Sequence, residues 1–147
     1  RTSAVQDWSS DMSMRTIARE FIAIISPPLL YGLLCLPLTG MLLAQYPNAV
    51  NNLGGTHNTS LVIAIEFIQC ATLMICGGVI YFIAGQQPRY KMLQAGVVIE
   101  MLAIAIWVEV QYWGAMPVWH HFVFFTLIVC GIPMGSHLAN RWRSTGA

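Results

Sequence analysis

Four apolar stretches, each long enough to cross a lipid bilayer, restrict the fold of this chain more than any other feature. A hydrocarbon core about 30 Å thick needs roughly 20 residues of helix. We place the four spans at about 27–45, 61–84, 92–113 and 118–140. Only 9% of the residues are charged, whereas a soluble domain has about 25%. The pattern predicts an all-α integral membrane protein, an up-down bundle of four transmembrane helices joined mostly by short turns.

Two segments flank the predicted four-span domain, residues 27–140. Residues 1–26 begin with a polar tail and continue from Asp11 with apolar residues at three- and four-residue steps. This spacing predicts a short amphipathic helix at the membrane interface, ended by the Pro27-Pro28 pair. The alternative is that these residues form the first turns of a long, kinked first span. Residues 141–147 form a basic C-terminal tail.

The basic residues indicate how the spans are oriented. With four spans, all seven fall on one side of the membrane: Arg1, Arg15, Arg19, Arg89, Lys91, Arg141 and Arg143. Because cytoplasmic segments are enriched in Lys and Arg, we expect both termini on the cytoplasmic side. The net charge of +1 gives no electrostatic reason to expect nucleic-acid binding.

Five ionisable residues are predicted to converge near the opposite, outer face: His57, Glu66, Glu109, His120 and His121. Imidazole and carboxylate together suit Zn, Cu or Fe, so His57, His120, His121 and Glu109 are candidate metal ligands. Adjacent histidines on a helix point about 100° apart, which argues against joint chelation by His120 and His121. A proton relay and simple interfacial histidines are the alternatives.

Four polar side chains fall inside the spans: Glu66, Gln69, Glu100 and Glu109. An acid in lipid normally faces protein, water or an opposite charge. Glu66 and Gln69 share a stripe of small and polar residues, so Glu66 is either an interhelical hydrogen-bonding residue or a proton carrier. Glu100 and Glu109 lie two and a half turns apart and face opposite directions. One of them is therefore expected to face a partner subunit, a lipid headgroup or a watery crevice.

The inner end of the last span offers a second group of contacts. His137 lies near Arg141 and Arg143, and we expect these residues, with Glu100, to contact lipid or a partner, with His137 approaching Glu100. His120 and His137 are about 25 Å apart along one helix, so they cannot bind one haem iron. We expect bound lipid, and the sequence identifies no cofactor of the chain's own.

The sequence contains no nucleophile elbow, phosphate loop or dinucleotide fingerprint. The leading hypothesis is a small accessory subunit of a larger respiratory, photosynthetic or metal-dependent oxidase complex, without catalytic activity of its own. It rests on the small size, the opposed intramembrane acids and the little material outside the membrane. The alternatives are a small oligomeric proton- or ion-coupled transporter or channel, and a membrane metalloprotein with an outer His/Glu site.

Overall fold

The computed structural model describes the backbone of residues 2–145 and the side chains of residues 14–145. Within that range the chain forms four long helices: α1 (Thr2–Ala44), α2 (Thr59–Ala84), α3 (Tyr90–Gln111) and α4 (Val118–Thr145). All four are long and apolar enough to span a membrane. No strand occurs in the described part, where an isolated bridge joins Val50 to Thr56. The last three helices begin and end within about five residues of the predicted spans.

Helix α1 differs from the prediction of a separate interfacial helix before residue 27. It runs without a break through Pro27, Pro28 and Pro37, and its apolar portion extends from Met14 to Ala44. Each proline leaves one carbonyl of the preceding turn without its helical N–H. Ending the helix in lipid would leave up to four N–H and four carbonyl groups unpaired, so continuing it is favourable. The alternative of one long first helix describes the backbone.

The loops divide the bundle into two ends. The loops 45–58 and 112–117 contain no Lys, Arg, Asp or Glu and contact each other, since the Asn51 amide donates to the Ala115 carbonyl at 2.8 Å. We call this the neutral end. At the other end, the Tyr81 hydroxyl donates to Asn140 at 2.6 Å, bringing the 85–89 turn close to the end of α4. We call this the basic end because six described Arg and Lys residues lie towards it: Arg15, Arg19, Arg89, Lys91, Arg141 and Arg143.

Helices α2 and α4 form the centre of the bundle. In their most apolar segments 39% of residues are buried, against 17% in α1 and α3. Glycines allow this close approach, because a Cβ on Gly77 would overlap the Ile132 carbonyl and one on Gly135 would overlap the Met74 carbonyl. The hydroxyl of Ser136 donates to the Gly77 carbonyl at 2.7 Å across the contact. The Gly131–Gly135 motif of α4 is therefore used within the chain.

The buried core extends from this contact towards α3. Its members are aliphatic or aromatic and come from α2, α3 and α4: Leu73, Ile80, Val97, Met101, Ala105, Phe124, Ile128 and Ile132. All four cysteines are free thiols, as their positions inside apolar stretches predict. This core supports the starts of α2 and α4 and the end of α3, where the candidate site lies.

Candidate functional site

Four ionisable side chains meet inside the neutral end of the bundle. Glu66 comes from the second turn of α2, Glu109 from the last turn of α3, and His120 and His121 from the first turn of α4. All four are more than nine-tenths buried, with exposed fractions of 8%, 8%, 3% and 0%. Buried acids and imidazoles are expensive unless each is paired. The pairings therefore decide what the cluster can hold.

The first pair joins Glu66 to His120. The Nδ1 atom of His120 lies 2.6 Å from Oε1 of Glu66, and because an ionised carboxylate only accepts, Nδ1 donates. In a neutral imidazole the other nitrogen, Nε2, then carries a lone pair. Nε2 lies 3.9 Å from Oε1 of Glu109, beyond hydrogen-bond distance. The ring is held in place by parallel stacking on Phe124, with centroids 6.1 Å apart.

The second pair joins Glu109 to His121 and has a different requirement. The Nε2 atom of His121 lies 3.1 Å from the Trp113 carbonyl, which can only accept, so Nε2 carries hydrogen. Nδ1 of the same ring contacts Oε2 of Glu109. In a neutral ring Nδ1 is also an acceptor, so two lone pairs face each other. A proton shared by the ring and the carboxylate makes this contact a hydrogen bond, and a metal ion bound by both groups would need them to move apart.

Glu109 links the two histidines because its carboxylate oxygens point to different rings. The His120 and His121 rings are 5.5 Å apart and tilted by 68°, so their divergence along the helix is real. Even so, one ligand atom from each of Glu109, His120 and His121 lies within 4.8 Å of the other two. The divergence of these neighbouring histidines therefore does not prevent a nitrogen of each ring from approaching one position. The carboxylate of Glu109 lies between the two rings.

The indole of Trp113 covers the outer side of the cluster. It stacks on His121 with centroids 4.2 Å apart and an interplanar angle of 11°, while 47% of the residue remains exposed. On the inner side, the Tyr31 ring lies 6.2 Å from Phe124. Hydrophobic pattern and charge do not single out Tyr31 or Phe124 as neighbours of the cluster. A backbone carbonyl as partner, such as that of Trp113, leaves no signal in a sequence.

His57 and Gln69 lie outside this group of ligands. His57 is exposed, and its Nε2 lies 3.3 Å from the Gly114 carbonyl, so it ties the two neutral loops together. Gln69 is buried on α2. Its Oε1 and the Oε2 of Glu66 have no hydrogen-bond partner among the described residues. The predicted polar stripe on α2 therefore retains unused acceptors beside the cluster.

Glu100 lies away from the cluster, in a crevice between α1 and α3. The crevice has a volume of about 390 Å³ and is lined by Glu20, Ile24, Arg89, Met92, Leu93, Gly96 and Glu100. Oε2 of Glu100 is buried there without a partner in the described part of the chain. His137 is exposed and does not line the crevice, contrary to its expected approach to Glu100. His137 lies on the exposed face of α4, whereas Glu100 faces a crevice between α1 and α3.

No family model, curated protein or solved structure matches the chain significantly. The functional argument therefore depends on the geometry of the site. The strongest elements of the site are the buried side chains of Glu109, His120 and His121. Two further groups, Glu66 and the Trp113 carbonyl, form hydrogen bonds with the histidine nitrogens that face away from Glu109.

Proposed function

We propose that this chain is a membrane-spanning metalloprotein that holds one divalent transition-metal ion at its neutral end. The ligands are Nε2 of His120, Nδ1 of His121 and the carboxylate of Glu109. The observation that carries the proposal is the convergence of Glu109, His120 and His121, whose ligand atoms lie within 4.8 Å of one another inside the bundle. A metal ion bound to all three would also compensate the charge of Glu109.

The groups around the three ligands support a metal ion. A ligating histidine normally donates its second N–H to a carboxylate or a backbone carbonyl, which fixes the tautomer and orients the ring. His120 donates to Glu66, and His121 donates to the Trp113 carbonyl. Both rings thus present their other nitrogen towards Glu109.

The number of ligands indicates the type of site. Two imidazoles and one carboxylate match the donor sets of Fe(II) sites and of zinc sites. Three protein ligands leave at least one coordination position open, which distinguishes a reactive site from a structural one. A water or substrate oxygen would occupy that position. The burial of the cluster and the Trp113 cover would restrict its exchange with the outside.

Metal content of the purified chain tests the proposal, and the four histidines supply a matched design. The His120→Asn/His121→Asn variant removes both imidazole ligands, whereas His57→Asn/His137→Asn removes the two exposed histidines. We expect one metal ion per chain in the wild type and in the control, and none in the first variant. If neither zinc nor iron binds the wild type after incubation and desalting, the cluster holds a proton and the metal proposal fails.

We propose a second role, as a subunit of a larger membrane complex, because of the α1–α3 side. In the crevice an oxygen of Glu100 has no partner among the described residues, and α3 also exposes Ile99, Ile106 and Trp107. A partner helix with a basic or hydroxyl side chain would satisfy the carboxylate. Gentle-detergent purification with mass spectrometry of the whole eluate tests this role. Stoichiometric larger subunits, lost in Glu100→Gln, support it, and a chain that purifies without them contradicts it.

The remaining expectations complete the proposal. We propose an up-down bundle inserted in the membrane, surrounded by lipid, with the basic end and both termini in the cytoplasm, on the strength of the seven basic residues. A proton-transporting role is less favoured, because the buried α3 residues between Glu100 and Glu109 are Met101 and Ala105, both apolar. Reporter fusions at each terminus test the orientation.

A further inference from the structure

A groove at the basic end lies between α1 and α4 and has no part in the metal site. Both helices pack on α2. In the described range, the backbones of α1 and α4 do not come into close contact with each other. The end of α2 and the following turn therefore form the floor of an open groove of about 360 Å³. Its lining residues are Arg19, Phe82, Ile83, Gln86, Gln87 and Arg143.

The charges in the groove are unbalanced. Arg19 of α1 and Arg143 of α4 both line it, and no acid is among its described lining residues. Glu20, the neighbour of Arg19, lines the separate α1–α3 crevice. Two guanidinium groups that face one groove repel each other unless an anion lies between them. The groove is therefore suited to a phosphate or a carboxylate.

Gln86 lies beside the guanidinium of Arg143. In the amide orientation that satisfies both groups, its oxygen accepts from Nη2 and Nη1 of Arg143 at 2.6 and 3.2 Å. This contact favours one orientation of the guanidinium, which has further N–H donors. A planar, oriented guanidinium binds a phosphate through two hydrogen bonds, which a lysine cannot do.

The lower part of the groove is apolar and faces outward. Phe82 is 65% exposed, and it lies beside Ile83 on the outer surface of the membrane-spanning helix α2. A free phosphate ion would gain nothing from these two side chains. A phospholipid would place its phosphate between the arginines and its acyl chains along Phe82 and Ile83. The groove thus has the polarity of an entire lipid, cationic at the mouth and apolar below.

We propose that this groove binds the headgroup of an anionic phospholipid, with Arg19 and Arg143 as the phosphate ligands and Phe82 against the acyl chains. The proposal is independent of the metal site, which lies at the opposite end of the bundle. Basic pockets between helices on the cytoplasmic side commonly bind anionic headgroups. Here the pocket has a specific origin, the gap that α1 and α4 leave above the end of α2.

Native mass spectrometry of the detergent-purified full chain tests the site with phosphatidylglycerol and phosphatidylcholine of equal chain length. We expect Arg19→Gln/Arg143→Gln to weaken phosphatidylglycerol binding about thirtyfold, from roughly fivefold per basic residue near an anionic lipid. Each single variant is expected to lose about fivefold, which keeps the test usable if the double variant fails to purify. The matched control, Arg89→Gln/Lys91→Gln, removes two charges from outside the groove and should retain binding within about threefold.

Three results would overturn the proposal. Equal binding of the two lipids by the wild type would show that the negative charge is not recognised. An equal loss in the control would show attraction by net charge alone. Displacement of the lipid by millimolar inorganic phosphate would show a site for free anions. Metal content should be the same in all these variants, which separates this test from that of the metal centre.

Discussion

The α2–α4 side and the α1–α3 side of the bundle accommodate polar groups differently. Between α2 and α4, glycines at positions 77 and 135 bring the backbones together, and Ser136 satisfies the Gly77 carbonyl across the contact. Between α1 and α3, the helices leave a crevice of about 390 Å³ with Glu100 on its wall. The polar contact between α2 and α4 is made within the chain, whereas the crevice between α1 and α3 is open to neighbouring molecules.

The two acids of α3 show what this difference means. Glu109 contacts His121 and lies 3.9 Å from a nitrogen of His120, so polar partners from the same chain surround it. Glu100, nine residues earlier, has a buried oxygen without a partner in the described residues. Acids in lipid face a compensating group, so Glu109 marks a site built by this chain. Glu100 marks a site that another molecule completes.

The largest expected effect comes from exchanging each acid for its amide. Glu109→Gln removes the carboxylate ligand, so we expect metal affinity to fall more than the ten- to hundredfold typical of an outer-shell change. Glu100→Gln should leave the affinity unchanged, because Glu100 lies outside the cluster. Competition titration with a chelator of known affinity measures both. Equal losses in the two variants would contradict the division between the acids.

Glu66 is expected to act one step away from the metal ion. Its carboxylate accepts from Nδ1 of His120 at 2.6 Å, which fixes the tautomer with Nε2 as ligand. Glu66→Gln keeps the size and weakens this hydrogen bond, so metal affinity should fall about ten- to hundredfold while one ion per chain is still bound. Loss of all binding would make Glu66 a ligand. No loss would mean that the ring is oriented by Phe124 alone.

The α2–α4 contact should be the more sensitive of the two sides to added volume. A methyl group on Gly135 would overlap the Met74 carbonyl, so Gly135→Ala is expected to lower the free energy of unfolding by about 1–3 kcal/mol. Gly40→Ala on α1 is the matched control, since nothing lies within 4 Å of its added methyl group. Unfolding in mixed micelles measures both. A similar decrease in both variants would show that the α2–α4 contact is not specially tight.

The smallest expected effect is that of Glu100→Gln on the isolated chain. Oε2 of its carboxylate has no hydrogen-bond partner among the described residues, so the free energy of unfolding should change by less than about 0.5 kcal/mol. The same mixed-micelle unfolding measures it. A decrease of about 2 kcal/mol would reveal a partner for Glu100 within the chain and remove the argument for an external one.

Much of this architecture could be predicted from the sequence. The hydrophobic pattern predicts α2, α3 and α4 to within about five residues, because a span in lipid has a fixed minimum length. The Pro27-Pro28 pair leaves two predictions open, a separate interfacial helix and one long first span, and α1 runs as one helix through both prolines. In lipid, an interrupted helix leaves more unpaired groups than a helix that contains proline. Whether the helix continues depends on whether Pro27 and Pro28 lie in water or in lipid, and the sequence pattern is compatible with both.

The sequence predicts which residues form the candidate site, but it does not predict which acid pairs with which histidine. Depth along the helices brings Glu66, Glu109, His120 and His121 to one level. Which acid meets which ring depends on how the helices rotate about their axes, and the sequence does not fix that rotation. His57 shares the level but belongs to a loop held by Asn51, so depth alone included one residue too many.

X-ray absorption spectroscopy of the metal-loaded chain tests the central claim most directly, because it reports the atoms bound to the metal ion. The account predicts nitrogen and oxygen neighbours at about 2.0–2.2 Å, with the outer-shell scattering of two imidazole rings. It also predicts that this scattering disappears in His120→Asn/His121→Asn. Sulfur neighbours at about 2.3 Å would assign the metal ion to cysteine thiolates and would contradict the proposed centre.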